Sequence, residues 1–306
     1  MNNFDSVAVT SRSFSKNRIL RQELLSKYKN VKFNDQGSKL SGKHLVQFLN
    51  GYDKAITALE IIDNDILLKL PKLKVISKYG VGLDMINIDS LKVHGVRLGW
   101  TGGVNRRSVS ELVISSSISL LRNVPIANIE VKDGLWRQHI GRQLSDLTVG
   151  IIGCGNIGKD LVELLGAFGS KVLVYDILDF PEFYSKNNVT PVGVDTLLRN
   201  SDIVTLHLPL DDSTKNILNK DRLNLMQSSA ILINYSRGGL LDEDELLEML
   251  IGGKLAGAAL DVFNKEPPEN NKLINLSNCL VTPHIGGSSE EAILAMGRVA
   301  ISGLDL

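Results

Sequence analysis

The chain has 306 residues, of which 34 are Lys or Arg, 34 are Asp or Glu, and 43% are hydrophobic. That length suits about two domains, each large enough for its own core. A formal net charge of zero argues against a general binder of nucleic acid or acidic membranes, which carries a basic surplus. Local basic pairs such as Arg106-Arg107 read as solvated turns.

No uncharged apolar run approaches the roughly 18 residues of a membrane span. The opening Met1-Asn2-Asn3-Phe4-Asp5 lacks the basic region and apolar segment of a secretory signal. Cys154 and Cys279 are too few for a disulfide framework and lack metal-ligand spacing. The expectation is a reduced, cytoplasmic protein with no metal, nucleic-acid or membrane partner.

In the first hundred residues, Ser6 to Thr10, Ala55 to Leu59, Lys74 to Ser77 and Val96 to Leu98 read as strands. Asn17 to Tyr28 and Lys43 to Asn50 carry apolar residues at helical spacing. Strands alternating with helices predict a parallel sheet with crossover helices. Around Trp100-Thr101-Gly102-Gly103-Val104-Asn105 the chain changes character, and the paired glycines suit a hinge ahead of a helix from Ser108 to Leu121. After a polar stretch from Asn128 to Ser145, a second α/β unit begins. Its expected strands are Thr148 to Ile152, Lys171 to Tyr175, Ile203 to Leu206, Ala230 to Asn234, Ala256 to Leu260 and Cys279 to Thr282. Helices are expected over Asn156 to Phe168 and Glu243 to Leu250. Ser288 with Glu291 fits a capping box opening a last helix.

Gly153-Cys154-Gly155-Asn156-Ile157-Gly158 joins an apolar strand to a helix in the pattern Gly-x-Gly-x-x-Gly. The first glycine permits the tight turn, the second lets a pyrophosphate approach the backbone, and the third lets helix and strand pack closely. Unpaired N–H groups and the helix dipole then hold the phosphates. Asp176 ends the next strand, 18 residues beyond Gly158, where a carboxylate accepts from ribose hydroxyls and repels a 2′-phosphate. Ile177-Leu178-Asp179 supplies no cation, so the expected cofactor is NAD rather than NADP. Cys154 reads as a packed thiol of the loop rather than a regulatory one.

In open parallel sheets, ligands bind beyond the carboxyl ends of the strands. Residues at those ends are His207, Arg237, Asp261 with Glu266 five residues on, and His284. Hydride exchange at a hydroxy or keto carbon needs a cation for the substrate carboxylate and a proton carrier of near-neutral pKa. A carboxylate to orient that carrier completes the set. Arg237, His284 and Glu266 are the apt residues, with His207 the second choice of base and otherwise a lining residue of the cofactor cleft.

These residues also carry a family likeness. The chain resembles the D-isomer-specific 2-hydroxyacid dehydrogenases, and within them the D-3-phosphoglycerate dehydrogenase-like enzymes. The likeness rests on Lys74 to Gly82, Ser108-Val109-Ser110-Glu111-Leu112, Leu147 to Gly158, and His207-Leu208-Pro209-Leu210. It continues through Asn234-Tyr235-Ser236-Arg237-Gly238-Gly239, Ala259 to Pro267, and Pro283-His284-Ile285-Gly286-Gly287. The resemblance implies two doubly wound α/β domains that close on cofactor and substrate. A Rossmann-type NAD domain, 99–285, is inserted in a flavodoxin-like substrate domain, 1–98 with 286–306. It implies that Val81 and Gly82 amides bind the substrate carboxylate with Arg237, with Lys78 and Tyr79 beside them. It implies cofactor contacts from Gly153, Gly155, Asn156, Ile157, Gly158, Asp176, His207, Leu208, Pro209, Tyr235, Ser236, Asp261 and Gly287. A homodimer through the arm around Asn123 to Ser145 is implied likewise.

The chain departs from the family pattern at Trp100, at Gly102-Gly103 in place of Pro-Gly, at Met85 and Asn87, and at Lys78-Tyr79, where phosphoglycerate enzymes often carry an arginine. With Leu306 as its last residue, no extra regulatory domain is expected. The expected activity is NAD-dependent interconversion of a D-2-hydroxy acid and its 2-keto acid. The substrate expected is 3-phosphoglycerate with 3-phosphohydroxypyruvate, or a relative such as glycerate, glyoxylate or lactate. The alternatives are an NAD-sensing corepressor-like protein and a phosphite or formate dehydrogenase on the same fold.

Overall fold

The computed structural model describes residues 3–305; the Met1-Asn2 of the opening segment considered above lie outside them. The chain divides into two compact units. One runs from the amino end to Asn105 and resumes at Glu290, and the other is Arg106–Ser289. The family resemblance implies boundaries a few residues earlier, at 98/99 and 285/286.

The first unit holds β1 (Asn3–Val9), β2 (Tyr28–Phe33), β3 (Lys54–Thr57), β4 (Val75–Lys78) and β5 (Arg97–Gly99). They form one parallel sheet in the order β2-β1-β3-β4-β5, the flavodoxin-like order. Alternation along β1 sends Val7 and Val9 to one core and Ala8 to the other, as the two-residue period of a strand requires. The closing helix Glu290–Ser302 packs with the helix Arg18–Lys27. Ala300 and Ile301 share a core with Leu20 and Leu24, and Arg298 pairs with Glu23 at 2.9 Å. That helix opens at Glu290, which puts the residue ahead of it at Ser289 and leaves the Ser288–Glu291 box one residue out of register.

The second unit holds β6 (Thr148–Ile152), β7 (Lys171–Tyr175), β8 (Thr190–Pro191), β9 (Ile203–Leu206), β10 (Ile231–Asn234), β11 (Gly257–Leu260) and β12 (Cys279–Val281). Their order is β12-β11-β10-β9-β6-β7-β8, all parallel. This is the Rossmann arrangement with a seventh strand, and its order reverses between β6 and β9. The strands β9, β10 and β11 are buried at every residue, as continuous apolar runs between two helical layers must be. Two cores, one on each face, are built around Leu206, Leu232 and Leu260 and around Ile151, Ile203 and Ile233.

The helix expected from Ser108 begins at Arg106. Arg106-Arg107 is therefore helical rather than a solvated turn. Arg107 makes two bonds, 2.9 and 3.0 Å, to the buried carboxylate of Asp160 on the helix Asn156–Phe168. Among the described residues no single helix is long and apolar enough to cross a membrane; one bent pair, Arg106–Leu121 with Val124–Lys132, passes that test only jointly.

Candidate active site

The turn after β6 is shaped by what its glycines lack. Gly153 has φ 103°, and a Cβ there would overlap the His207 carbonyl just beyond β9. A Cβ on Gly158 would overlap the Gly153 carbonyl. The loops after β6 and β9 thus close on each other at the point where strand order reverses. Around Gly155 the space is open, and the helix Asn156–Phe168 starts there without a side-chain cap. Asp176 ties this loop to the end of β7, its Oδ2 accepting from the Cys154 amide at 2.6 Å and its Oδ1 from the Leu178 amide at 2.8 Å. An uncapped helix start, open space at Gly155 and a carboxylate beside them fit a dinucleotide, with the phosphates at the amides and the ribose at Asp176. Burial pushes the Cys154 thiol up to about 11, so it is a packed, unreactive group.

The next three strand ends carry the polar constellation. Beyond β10, Asn234 shapes the arginine loop: its Nδ2 donates to the Arg237 carbonyl at 2.8 Å, and its Oδ1 accepts from the Ser236 amide at 3.2 Å. A Cβ on Gly238 would overlap the Phe263 carbonyl, and the Gly239 amide donates to Asn264 Oδ1 at 2.6 Å. The Arg237 loop is therefore pressed against the loop that leads to Glu266. Glu243 anchors that second loop through bonds from the Asn264 amide and the Asn271 side chain, 2.6 and 2.8 Å.

Glu266 Oε2 lies 2.8 Å from His284 Nδ1, while its Oε1 accepts from the Phe263 amide at 3.2 Å. The two side chains remain 39% and 50% exposed, so the imidazole is open to a substrate. His284 has φ 54°, in the left-handed region that costs a non-glycine residue about 1 kcal/mol or more. The carboxylate of Asp261, 1% exposed at the end of β11, holds that conformation. It accepts from Thr282 Oγ1 at 2.6 Å, the Ile285 amide at 2.7 Å and the Gly286 amide at 2.7 Å. Three bonds bracket His284 on both sides. Asn234, Thr282, Asn264 and Glu243 were missed from the sequence; an amide side chain ending the strand before Arg237 was the available signal.

His207 is 8% exposed, its Nε2 shares a 2.9 Å hydrogen bond with Thr205 Oγ1, and its Nδ1 is buried without a partner among the described residues. Burial pushes its pKa down to about 3, which removes it as a proton carrier near neutral pH. Leu208 packs toward Gly153, and its carbonyl accepts from Ser236 Oγ; the Pro209 carbonyl accepts from Thr214 at 2.7 Å. The Tyr235 hydroxyl is buried on Ser116 at 2.6 Å. Ile157 is partly buried against the core, and Gly287 follows the loop that Asp261 holds. Hence Tyr235 and Ser236 have their hydroxyls committed within the fold, and so is the Ser236 main chain, its amide donating to Asn234 Oδ1 at 3.2 Å and its carbonyl accepting from Arg237 at 2.7 Å.

In the first unit, Lys78 and Tyr79 are buried. The Lys78 ammonium donates to the Ala58 carbonyl, and the Tyr79 ring meets Phe14 edge-on at 5.4 Å. The loop beyond them is braced by Trp100, whose Nε1 donates to the Val81 carbonyl at 3.1 Å. Asn87 caps the helix Ile88–Val93 by accepting from Ser90. Two of the departures from the family pattern, Trp100 and Asn87, thus have structural work within this unit.

Comparison with known proteins bears on the family and the fold. The NAD-binding domain of the D-isomer specific 2-hydroxyacid dehydrogenases matches residues 114–286. A hydroxypyruvate reductase of Thermotoga maritima is 37% identical over 242 residues, which are 76% of this chain and 77% of that protein. The chain belongs to the D-isomer specific 2-hydroxyacid dehydrogenase family. It is an NAD-dependent oxidoreductase of that class. A D-3-phosphoglycerate dehydrogenase of Bacillus subtilis is 39% identical over 235 residues, 76% of this chain but 45% of that longer protein. The chain therefore spans less than half the length of that dehydrogenase. The NAD-complexed D-isomer specific 2-hydroxyacid dehydrogenase of Lactobacillus delbrueckii ssp. bulgaricus superposes with a TM-score of 0.81. Its sequence identity is 27%, and the match covers 97% of this chain and 95% of that one.

Proposed function

We propose that this dehydrogenase interconverts a short D-2-hydroxy acid and its 2-keto acid, with His284 as proton carrier, Glu266 as its orienter and Arg237 as the cation for the substrate carboxylate. The observation that carries the reading is the 2.8 Å contact between His284 Nδ1 and Glu266. It uses one ring nitrogen and leaves Nε2 for the substrate oxygen. NAD, when bound, gives or takes the hydride at the substrate carbon. In reduction, His284 protonates the carbonyl oxygen as it becomes an alkoxide; in oxidation the neutral imidazole takes the hydroxyl proton. Arg237 stays charged, fixes the carboxylate beside the reacting carbon and polarises the carbonyl. Gly153, Gly155, Asn156, Ile157 and Gly158 hold the phosphates and Asp176 the adenosine ribose. His207, Leu208, Pro209, Tyr235, Ser236, Asp261 and Gly287 line the remainder of the cofactor site.

The buried Lys78, bonded to Ala58, is not presented as a phosphate ligand. That supports hydroxypyruvate or glyoxylate ahead of 3-phosphohydroxypyruvate. The test is a panel of those three acids and pyruvate with NADH: turnover of at least one is expected, with the unphosphorylated acids preferred. Tight NADH binding without turnover of any keto acid would favour the corepressor-like alternative.

We propose further that the chain pairs with a second copy. The helix Val124–Lys132 buries no residue, and Trp136 and Ile140 beyond it are 84% and 97% exposed. Glu130 nonetheless holds that segment in place through His139 at 2.6 Å and Arg137 at 3.3 Å. An ordered arm presenting apolar side chains to water is what an isologous interface covers.

A further inference from the structure

The sequence shows no cation immediately after Asp176, but the fold brings one from the preceding helix. Lys159 stands one turn into the helix Asn156–Phe168, the helix that opens at the phosphate loop. Its ammonium lies 3.5 Å from the ring centroid of Phe180 and 5.6 Å from that of Phe183. Both rings meet Tyr184 edge-on, with centroids 6.2 and 6.4 Å away. Phe180 comes four residues after Asp176, so the aromatic cluster that follows the ribose carboxylate is the one that holds the lysine. The local electrostatics agree with that placement. The Cys154 amide donates to Asp176 at 2.6 Å, and the Cys154 thiol feels both the Lys159 cation and the Asp176 anion.

We propose that Lys159 is a latent ligand for a 2′-phosphate, parked on Phe180 and Phe183, and that Asp176 alone keeps a 2′-phosphorylated dinucleotide from engaging it. A lysine held by aromatic faces keeps its charge and its flexible four-carbon stem. A cation–π contact is weaker than a charge-assisted bond to phosphate, so the lysine leaves the rings once an anion is tolerated beside it. While Asp176 is ionised, a 2′-phosphate meets like charge and loses the hydroxyl that the carboxylate accepts from. Cofactor choice then rests on one carboxylate set against a cation already in place. The inference depends on the adenosine ribose lying at Asp176, as proposed above.

The test measures NADH and NADPH affinities by fluorescence titration, without turnover, for the wild type, Lys159→Gln, Asp176→Ser and the double variant. Asp176→Ser should gain NADPH affinity, and adding Lys159→Gln should remove about tenfold of it, the scale of one charge-assisted bond. Lys159→Gln alone should leave NADH affinity within about twofold, as expected for a half-buried charge that does not touch that ligand. Equal NADPH affinity in Asp176→Ser and the double variant would overturn the role of Lys159. NADH affinity unchanged by Asp176→Ser would instead overturn the placement of the ribose at Asp176, and the proposal with it.

Discussion

His207 is enclosed by the fold, and burial pushes its imidazole from an ordinary 6.5 down to about 3. In the unfolded chain the same ring titrates near 6.5, so between those values the unfolded state binds one more proton than the folded state. The stability tied to the neutral ring is complete above pH 6.5 and is lost as pH falls toward 3, at about 1.4 kcal/mol per pH unit. At pH 5 the loss is about 2 kcal/mol. Glutamine at position 207 cannot titrate. His207→Gln lowers stability near neutral pH through the altered Thr205 contact, but its further loss between pH 7.5 and pH 5 should be smaller than the wild type's by about 2 kcal/mol. Carboxylates held low in the fold, such as Asp53 and Asp305, have an ordinary value of 3.8. They titrate below this window and are common to both proteins. Urea unfolding at the two pH values measures the difference, read from the transition that NADH shifts, because the ligand stabilises the unit that binds it. Equal losses in both proteins would refute the buried neutral imidazole and restore His207 as a possible acid.

Asp261→Asn turns one of the two carboxylate oxygens, which accept separately from the Ile285 and Gly286 amides, into an N–H₂ that faces an N–H donor, and removes the charge from the other bonds. With charge-assisted bonds worth about 1.5–3 kcal/mol, His284 should lose its left-handed geometry, and kcat should fall about 10–100-fold. NADH affinity measured by titration should change far less. Gly238→Ala forces the Arg237 loop away from the Phe263 carbonyl. It should cost about 1–3 kcal/mol of stability in urea unfolding, and steady-state kinetics should show a raised keto-acid KM together with a lowered kcat. Trp136→Asp should shift the chain from dimer to monomer in sedimentation velocity while the circular dichroism spectrum stays the same.

Much of the fold was legible because buried parallel strands are written as apolar runs. Thr148–Ile152 and Lys171–Tyr175 coincide with β6 and β7, and the helix Asn156–Phe168 was expected at its observed ends. The strands that escaped are both at sheet edges. β2, Tyr-Lys-Asn-Val-Lys-Phe, pairs on one side and exposes Lys29 and Asn30, so it carries the polar pattern of an edge. β8 is two residues long and includes a proline. At the site, residues at strand ends were found because topology alone brings them to one edge. What could not be read were side-chain directions. Lys78, which the resemblance sets beside the substrate loop, turns inward to Ala58. Asp261, expected among the cofactor contacts, has a carboxylate that also holds the His284 loop. Neither direction follows from spacing, because both depend on which amides a distant loop presents.

The proton carried by His284 is tested by kcat for keto-acid reduction by His284→Ala, with NADH affinity titrated on the same preparation. The half-exposed ring on Glu266 predicts a kcat lowered about 10²–10⁴-fold, as for loss of a general acid, with NADH affinity close to that of the wild type. Near-native kcat in that variant would contradict the assignment.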